Sequence, residues 1–231
     1  MKLSIVIPVY NEKDDILKLL KKVDSVSLPD IKKEIIIVDD RSTDGTTEIL
    51  ESLKKTKKYK IFFHDKNMGK GSALRTGFYN ATGDIMIIQD ADLEYDPNDY
   101  KKLIQPILDG ETEVVYGCRF THPQFKPSHP VFYFGNLFLS LVTRILYFRE
   151  IKDMETCYKM YKKDVLKGIK IKARGFDFEP EITAKIIKKG YDIIEVPIWY
   201  RGRSVEQGKK LRPIKDGLKA LYYLLYYRFF D

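Results

Sequence analysis

A chain of 231 residues with 44% hydrophobic and 13% aromatic side chains has enough apolar surface to bury a core, which excludes a disordered or low-complexity polymer. Its 41 Lys and Arg against 33 Asp and Glu give a net charge of +8, which suits an anionic partner such as nucleic acid, a phosphate metabolite or anionic lipid. Part of that excess also fits an ordinary solvated, lysine-rich surface. The two cysteines, Cys118 and Cys157, lack the paired spacing of a zinc or dithiol site, so a reducing, cytoplasmic setting is expected. The opening MKLSIVIPVYNE turns polar too early for a signal peptide, and no uncharged run reaches membrane-spanning length. A soluble or surface-attached protein follows.

In chain order, short β-rich apolar runs at 4–9, 34–38, 60–64, 84–88 and 113–116 alternate with helical periodicity at 14–23, 46–54, 70–80 and 98–108. This alternation predicts one α/β domain over 1–231, built on a mostly parallel sheet covered on both faces. Ligands of such sheets bind beyond the carboxyl ends of the strands. Residues 130–148 break the pattern with the aromatic run VFYFGNLFLSLVTRILYF, which is marginal as a membrane span. An amphipathic helix lying in the bilayer interface, or a core helix, fits it better. A strand-like CYKMY, a helix around 181–188 and a strand at 193–197 follow. The basic stretch RGRSVEQGKKLRPIK then leads into a final aromatic helix over 217–230, too short to span a bilayer and similarly suited to an interface, to the core or to a dimer contact.

The strongest local signal is Asp90-Ala91-Asp92-Leu93-Glu94, placed directly after the apolar strand IMII. Two carboxylates two residues apart at a strand end can hold a hard divalent cation, which in turn can bridge a diphosphate, and Glu94 offers a third ligand. A solvated acidic turn before Tyr95-Asp96-Pro97 is the plainer reading. The segment from Asp39 to Thr46, DDRSTDGT, puts carboxylates where a base or ribose could be met, although Ser42, Thr43 and Asp44 are also ordinary helix-capping residues. Pro8-Val9-Tyr10-Asn11-Glu12 sets an aromatic and a carboxylate after the first strand. The run from Asn67 to Ala73, NMGKGSA, resembles a phosphate loop but lacks its full spacing, so glycines opening a helix explain it.

Together the segments IVIPVYNE, VDDRSTDGT, NMGKGSALRTGF and DADLE resemble the family 2 glycosyltransferases of the GT-A (Rossmann-like) fold. The later GCRF, FDFEPEI and EVPIWYRGRS resemble the branch that includes dolichol-phosphate mannose synthase and other polyprenyl-phosphate hexosyltransferases. Two departures stand out. Arg41 occupies a position where the family often has Gly, and the TGFR pattern becomes Thr156-Cys157-Tyr158-Lys159.

The resemblance implies a half for the nucleotide sugar over 1–120 and an acceptor half over 121–231. It implies a donor, GDP-mannose or UDP-glucose, clasped by Pro8, Tyr10, Glu12, Asp39, Asp90 and Lys209. Mg²⁺ or Mn²⁺ would sit on Asp90, Asp92 and Glu94, with Arg119 and Arg201 toward an acceptor phosphate. Asp92, Arg119 and Arg203 would carry catalysis, since guanidinium forks suit paired phosphate oxygens. A polyprenyl phosphate is already anionic and can attack without a general base. A sugar-hydroxyl acceptor would need one, for which Asp153, Glu179 and Glu181 are candidates. The expected setting is the cytoplasmic face of a membrane, peripherally attached, with no nucleic acid partner. A nucleotide-binding module without catalysis is the reading from a different class, and the complete acidic set DADLE argues against it.

Overall fold

The structure, a computed structural model, describes residues 1–127, 130–203 and 212–230. Its centre is β1 (Lys2–Val9), a near-continuous apolar run buried from Leu3 onward, as a strand covered on both faces requires. β2 (Lys32–Asp39) and β4 (Ile85–Ile88) pair with β1 in parallel, and β3 (Lys60–Phe63) extends the sheet beyond β2. The connections are α1 (Ile16–Ser25), α2 (Thr46–Lys55) and α3 (Lys70–Asn80), followed after β4 by α4 (Tyr100–Leu108). α1 shows the mechanism of attachment most simply, because Ile16, Leu19, Leu20 and Val23 form one buried stripe at helical spacing.

The second half interrupts the expected parallel order. β5 (Val114–Cys118) does not pair with β4. α5 (Pro130–Tyr147) intervenes, and β6 (Lys159–Lys162) then enters between them, antiparallel to both. The chain goes on through α6 (Lys163–Leu166) and α7 (Phe178–Lys188) to β7 (Ile193–Pro197), parallel to β5, and then to α8 (Pro213–Phe229). The full order is β3-β2-β1-β4-β6-β5-β7, with β6 the one reversed strand. The expectation of a mostly parallel sheet flanked by helices therefore holds. α8 begins four residues earlier than the aromatic pattern suggests, where a proline at its first turn fixes a helical φ.

Two glycines permit contacts that a side chain would block. A Cβ on Gly77 would lie 2.2 Å from Val6 Cγ1, so glycine lets α3 lie directly on β1. Gly69, at φ +89°, brings the start of α3 against the Arg174 carbonyl, which a Cβ would meet at 2.2 Å.

α5 and α8 lie against each other, joined by Tyr147 Oη donating to the Leu224 carbonyl at 2.7 Å. Asn136, Leu139, Ser140, Thr143 and Tyr147 form the inner face of α5, and Ala220, Leu224 and Tyr227 that of α8. Their outer faces expose Phe134, Phe138, Ile145 and Phe148 together with Leu218, Tyr222, Phe229 and Phe230. Among the described residues α5 is the one helix long and apolar enough to cross a bilayer by length and composition, yet its inner face is committed to the fold.

Across the opposite half, the Glu34 carboxylate accepts from Ser4 Oγ, Thr82 N, Thr82 Oγ1 and Lys60 Nζ at 2.6–2.9 Å, tying three strands to one turn. Burial alone would raise its pKa, but the bonds from Lys60, Ser4 and Thr82 outweigh it and bring the value down to about 2. A pKa below its ordinary 4.5 stabilises the fold above that pH and loses the benefit as pH falls toward 2. Glu34→Gln is therefore expected to cost about 1–2 kcal/mol near neutral pH. The difference from the unaltered protein in urea unfolding should close between about pH 5 and about pH 2.

Candidate active site

At the carboxyl ends of β1, β2, β4 and β5 the chain leaves the sheet as polar loops, and these form one side of a cleft of about 450 Å³. α5, the loop before α7 and the start of α8 form the other side. This is where a parallel sheet opens between strands and presents loop residues to a ligand.

The turn after β2 divides its two aspartates. Asp39 is buried and does not line the cleft, since Oδ1 accepts from Ser42 N and Oγ and Oδ2 accepts from Thr47 Oγ1. Asp39 is expected from the sequence to meet the donor, yet of the pair only Asp40 lines the cleft. Asp40 reaches the cleft and accepts from Met68 N at 2.8 Å, Gly69 N at 2.6 Å and the His64 ring at 2.7 Å, which fixes the loop before α3. Arg41 takes φ +65°, a left-handed conformation that disfavours any residue with a Cβ and explains why glycine suits this position.

Pro8, Tyr10 and Glu12 line the cleft beside Asp90, Asp92 and Glu94. Arg203 crosses to them from 191 residues away in sequence. Its Nη1 and Nη2 bond to Glu12 at 3.0 and 3.1 Å, and Nη2 also bonds to Asp92 at 2.9 Å. Glu94 accepts from Tyr200 Oη and from the Arg203 backbone, while Asp90 faces Lys70 Nζ at 2.8 Å. Burial, followed by the negative charge of Asp90 and Glu94, pushes Asp92 up to about 7, with Arg203 pulling the other way. Burial would raise Asp90 as well, but Lys70 holds it below the ordinary range. Asp90 therefore turns to Lys70, whereas Asp92 and Glu94 both meet Arg203. Among the described residues no group of three acidic, imidazole or thiol side chains is arranged to hold a metal ion. Arg201 is exposed, stands off the cleft wall and contributes its backbone N–H to the Glu94 carbonyl, and Lys209 lies outside the described residues.

On the far side, Arg119 lines the cleft but is already engaged. Its Nε and Nη2 bond to Asp153 at 2.8 and 2.7 Å, Asn136 adds a bond to the same carboxylate, and the Tyr200 ring lies 5.0 Å away. Asp153 is thereby fully buried as the counter-ion of Arg119, and it does not line the cleft. Glu181 is similarly spent, accepting from Lys172 N, Ala173 N and Lys185 Nζ. Glu179 does reach the cleft, where Lys159 Nζ bonds to one oxygen and Lys70 Nζ lies 3.5 Å from the other. Lys159 is entirely buried and also bonds to the carbonyls of Met154 and Thr156.

Two cleft groups carried little sequence signal. Lys70 opens α3 in NMGKG, and burial would lower its pKa, but Asp90 and Glu179 keep it charged. Glu155 stands in an irregular loop directly before Thr156-Cys157-Tyr158-Lys159, and that pattern did not mark it. Burial and Glu179 push its carboxyl up to about 7 against Lys159 and Arg119.

A mostly parallel sheet whose central strand ends carry an acidic pair, facing a wall of buried cations, is a GT-A-like architecture. Consistent with it, glucosyl-3-phosphoglycerate synthase from Mycobacterium tuberculosis, solved with Mn²⁺, UDP and phosphoglyceric acid, superposes with a TM-score of 0.75. At 18% identity over 100% of this chain and 79% of that one, the likeness is one of fold. The sequence profile of glycosyl transferase family 2 matches residues 4–169. The chain is 32% identical to a dolichol-phosphate mannosyltransferase from Pyrococcus furiosus over 97% of its own length, and it spans 64% of that protein. It is also 32% identical to a UDP-N-acetylglucosamine–dolichyl-phosphate N-acetylglucosaminyltransferase from Methanococcus voltae, over 96% of this chain and 94% of the relative. The chain belongs to glycosyl transferase family 2.

The Arg119–Asp153 pair sets a test of what shapes this side of the cleft. Arg119→Ala strands a buried carboxylate and is expected to cost about 3–5 kcal/mol. The double replacement Arg119→Ala/Asp153→Ala should cost less than Arg119→Ala alone, as measured by chemical unfolding.

Proposed function

We propose that the protein transfers a hexose from a nucleotide sugar to a polyprenyl monophosphate, with inversion at the anomeric carbon. The observation that carries this reading is the make-up of the cleft: its charged floor of Asp90, Asp92, Lys70 and Arg119 meets an aromatic, apolar wall of Phe120, Phe125, Val131, Phe132 and Tyr133 within the same cavity. A charged reacting end joined to an oily wall suits an acceptor that is itself a phosphate on a lipid. The two dolichyl-phosphate enzymes among the relatives support the acceptor class, and their names divide on the sugar, mannose in one and N-acetylglucosamine in the other. GDP-mannose is our favoured donor, with UDP-glucose next.

The donor chemistry of Asp90 and Asp92, rather than their present arrangement against Lys70 and Arg203, suits a divalent cation. Asp90 and Asp92 offer hard oxygen ligands, and the raised pKa of Asp92 marks a point where negative charge is under-compensated. Glu94 is a weaker ligand because Tyr200 and the Arg203 backbone already occupy it. Mg²⁺ or Mn²⁺ held there would neutralise the departing nucleoside diphosphate. Lys70 adds positive charge beside Asp90, and Arg119 presents its guanidinium toward the acceptor side. In the single displacement a lipid phosphate oxygen attacks the anomeric carbon while the bond to the diphosphate breaks. The nucleophile is anionic from the start, so this acceptor needs no general base. A sugar-hydroxyl acceptor is the second reading. What favours it is Glu155, a cleft carboxyl whose pKa near 7 matches that of a working base.

We further infer peripheral attachment to the cytoplasmic face of a membrane. Phe134, Phe138 and Ile145 on α5 and Leu218, Tyr222 and Phe229 on α8 would enter the interface, with Lys215 and Arg228 near anionic headgroups. Two buried, unpaired cysteines suit that reducing side.

Incubation with GDP-mannose, UDP-glucose or UDP-N-acetylglucosamine, Mg²⁺ or Mn²⁺ and a short polyprenyl phosphate should yield a glycolipid with at least one donor. Product on free saccharides alone would favour the second reading. Asp92→Ala should lower turnover about 100-fold or more with a smaller change in donor affinity. In vesicle co-sedimentation, binding to anionic liposomes should weaken with salt and with Phe229→Ser/Phe230→Ser.

A further inference from the structure

Glu155 is a cleft residue whose surroundings are satisfied while it is not. The loop that carries it is pinned at nearly every position. Lys152 N and Asp153 N donate to Glu195, Met154 N to Ser140 Oγ, Glu155 N to Asn136 Oδ1 and Cys157 N to Tyr95 Oη. The side chain therefore cannot relax by moving its backbone. Its Oε1 is closed off from solvent and has no hydrogen-bond partner, and Glu179 Oε1 across the same floor also lacks a hydrogen bond. The nearby cations do not rescue Glu155, because Arg119 is committed to Asp153, and Lys159 to Glu179 and two carbonyls. A stranded buried acceptor destabilises the fold, and such groups persist where a ligand completes them.

The missing partner must donate hydrogen bonds and must not carry negative charge. That condition excludes both phosphate-bearing ends of the reaction. It also fits the location, since Glu155 lines the same cleft as Asp90 and Lys70 and has as charged neighbours both Arg119 and Glu179, whose Oε1 faces Lys70 at 3.5 Å. The hydroxyl-rich, uncharged part of the donor is its sugar, which has to lie between the diphosphate and the acceptor. We propose that Glu155, with Glu179 beside it, receives the hydroxyls of the transferred sugar, so that Glu155 is a specificity-determining residue selecting a neutral hexose over an acidic one. The proposal rests on the nucleotide-sugar reading above.

Calorimetric titration with Mg²⁺ present can isolate the sugar's share of binding by comparing GDP with GDP-mannose and UDP with UDP-glucose and UDP-glucuronate. For the pair that the unaltered protein binds, Glu155→Ala should weaken the nucleotide sugar about 10-fold or more and the nucleoside diphosphate less than about 2-fold. Glu155→Gln keeps one acceptor oxygen, so it should fall between, with a smaller preference for UDP-glucose over UDP-glucuronate. Equal losses for diphosphate and nucleotide sugar, or no loss for either, would overturn the assignment. So would unchanged sugar-nucleotide affinity with abolished turnover in Glu155→Gln, the signature of a proton acceptor. If the unaltered protein bound none of these nucleotides, the donor reading itself would fall, and this proposal with it.

Discussion

The guanidinium of Arg203 draws together Glu12 from the end of β1 and Asp92 from the end of β4, and the acidity of the cleft depends on it. Carboxylates withdrawn from water and from each other's counter-ions cost several kcal/mol apiece. The cleft nevertheless gathers Glu12, Asp90, Asp92, Glu94 and Glu179, because each meets a specific buried or half-buried donor: Arg203, Lys70, Tyr200 or Lys159. Where this compensation falls short, at Asp92 and Glu155, the carboxyl is pushed up to about 7. The two raised carboxyls thus stand at two places of the site, one near the donor's diphosphate in our reading and one near its sugar. The net charge of +8 matters here less as a bulk property than through Lys70, Arg119, Lys159 and Arg203 in fixed positions.

Much of the scaffold was legible because its signals are local. Apolar runs of strand length alternate with helical stripes such as Ile16, Leu19, Leu20 and Val23, and each such period depends only on nearby residues. The antiparallel entry of β6 was not legible, since a short run such as KMYK carries no information about direction or neighbours. The site divides in the same way. DADLE and PVYNE announce themselves as carboxylates at strand ends. The contact between Arg203 and Glu12 spans 191 residues and exists only once the sheet is assembled. The sequence pair Asp39-Asp40 shows two equivalent side chains, but strand geometry turns successive residues to opposite sides, so one is spent on Ser42 and Thr47 and the other faces the cleft. Lys159 stood out only as part of the departure from the TGFR pattern and Glu155 not at all, because the meaning of both lies in which partners are already taken.

The two aromatic helices show how one segment can serve fold and surface together. α5 places Asn136 under Asp153 and Ser140 under the neighbouring loop, so its inner face positions the Arg119 side of the cleft. Its outer face, one half-turn away, contributes nothing to that scaffold and stays apolar. A polar residue on the inner face and an aromatic one on the outer face therefore answer to different demands, which is why the composition of residues 130–148 alone could not choose between a core and an interface.

The reversed strand has a consequence for how the molecule is built. β4 and β5 follow each other in sequence, yet they never touch as neighbours, because β6 arrives only after α5 and its loop and fills the space between them. Until then the sheet is two pieces, β3-β2-β1-β4 on one side and β5 on the other, each with an open edge. Joining them requires a contact of long sequence separation, the kind whose loop-closure entropy slows assembly. On a ribosome, the N-terminal four strands emerge and can pair first, while the exposed edge of β4 is the surface that a growing chain must keep from wrong partners. Lys159, buried beside Glu179 at the start of β6, thus enters the interior in the same event that unites the sheet.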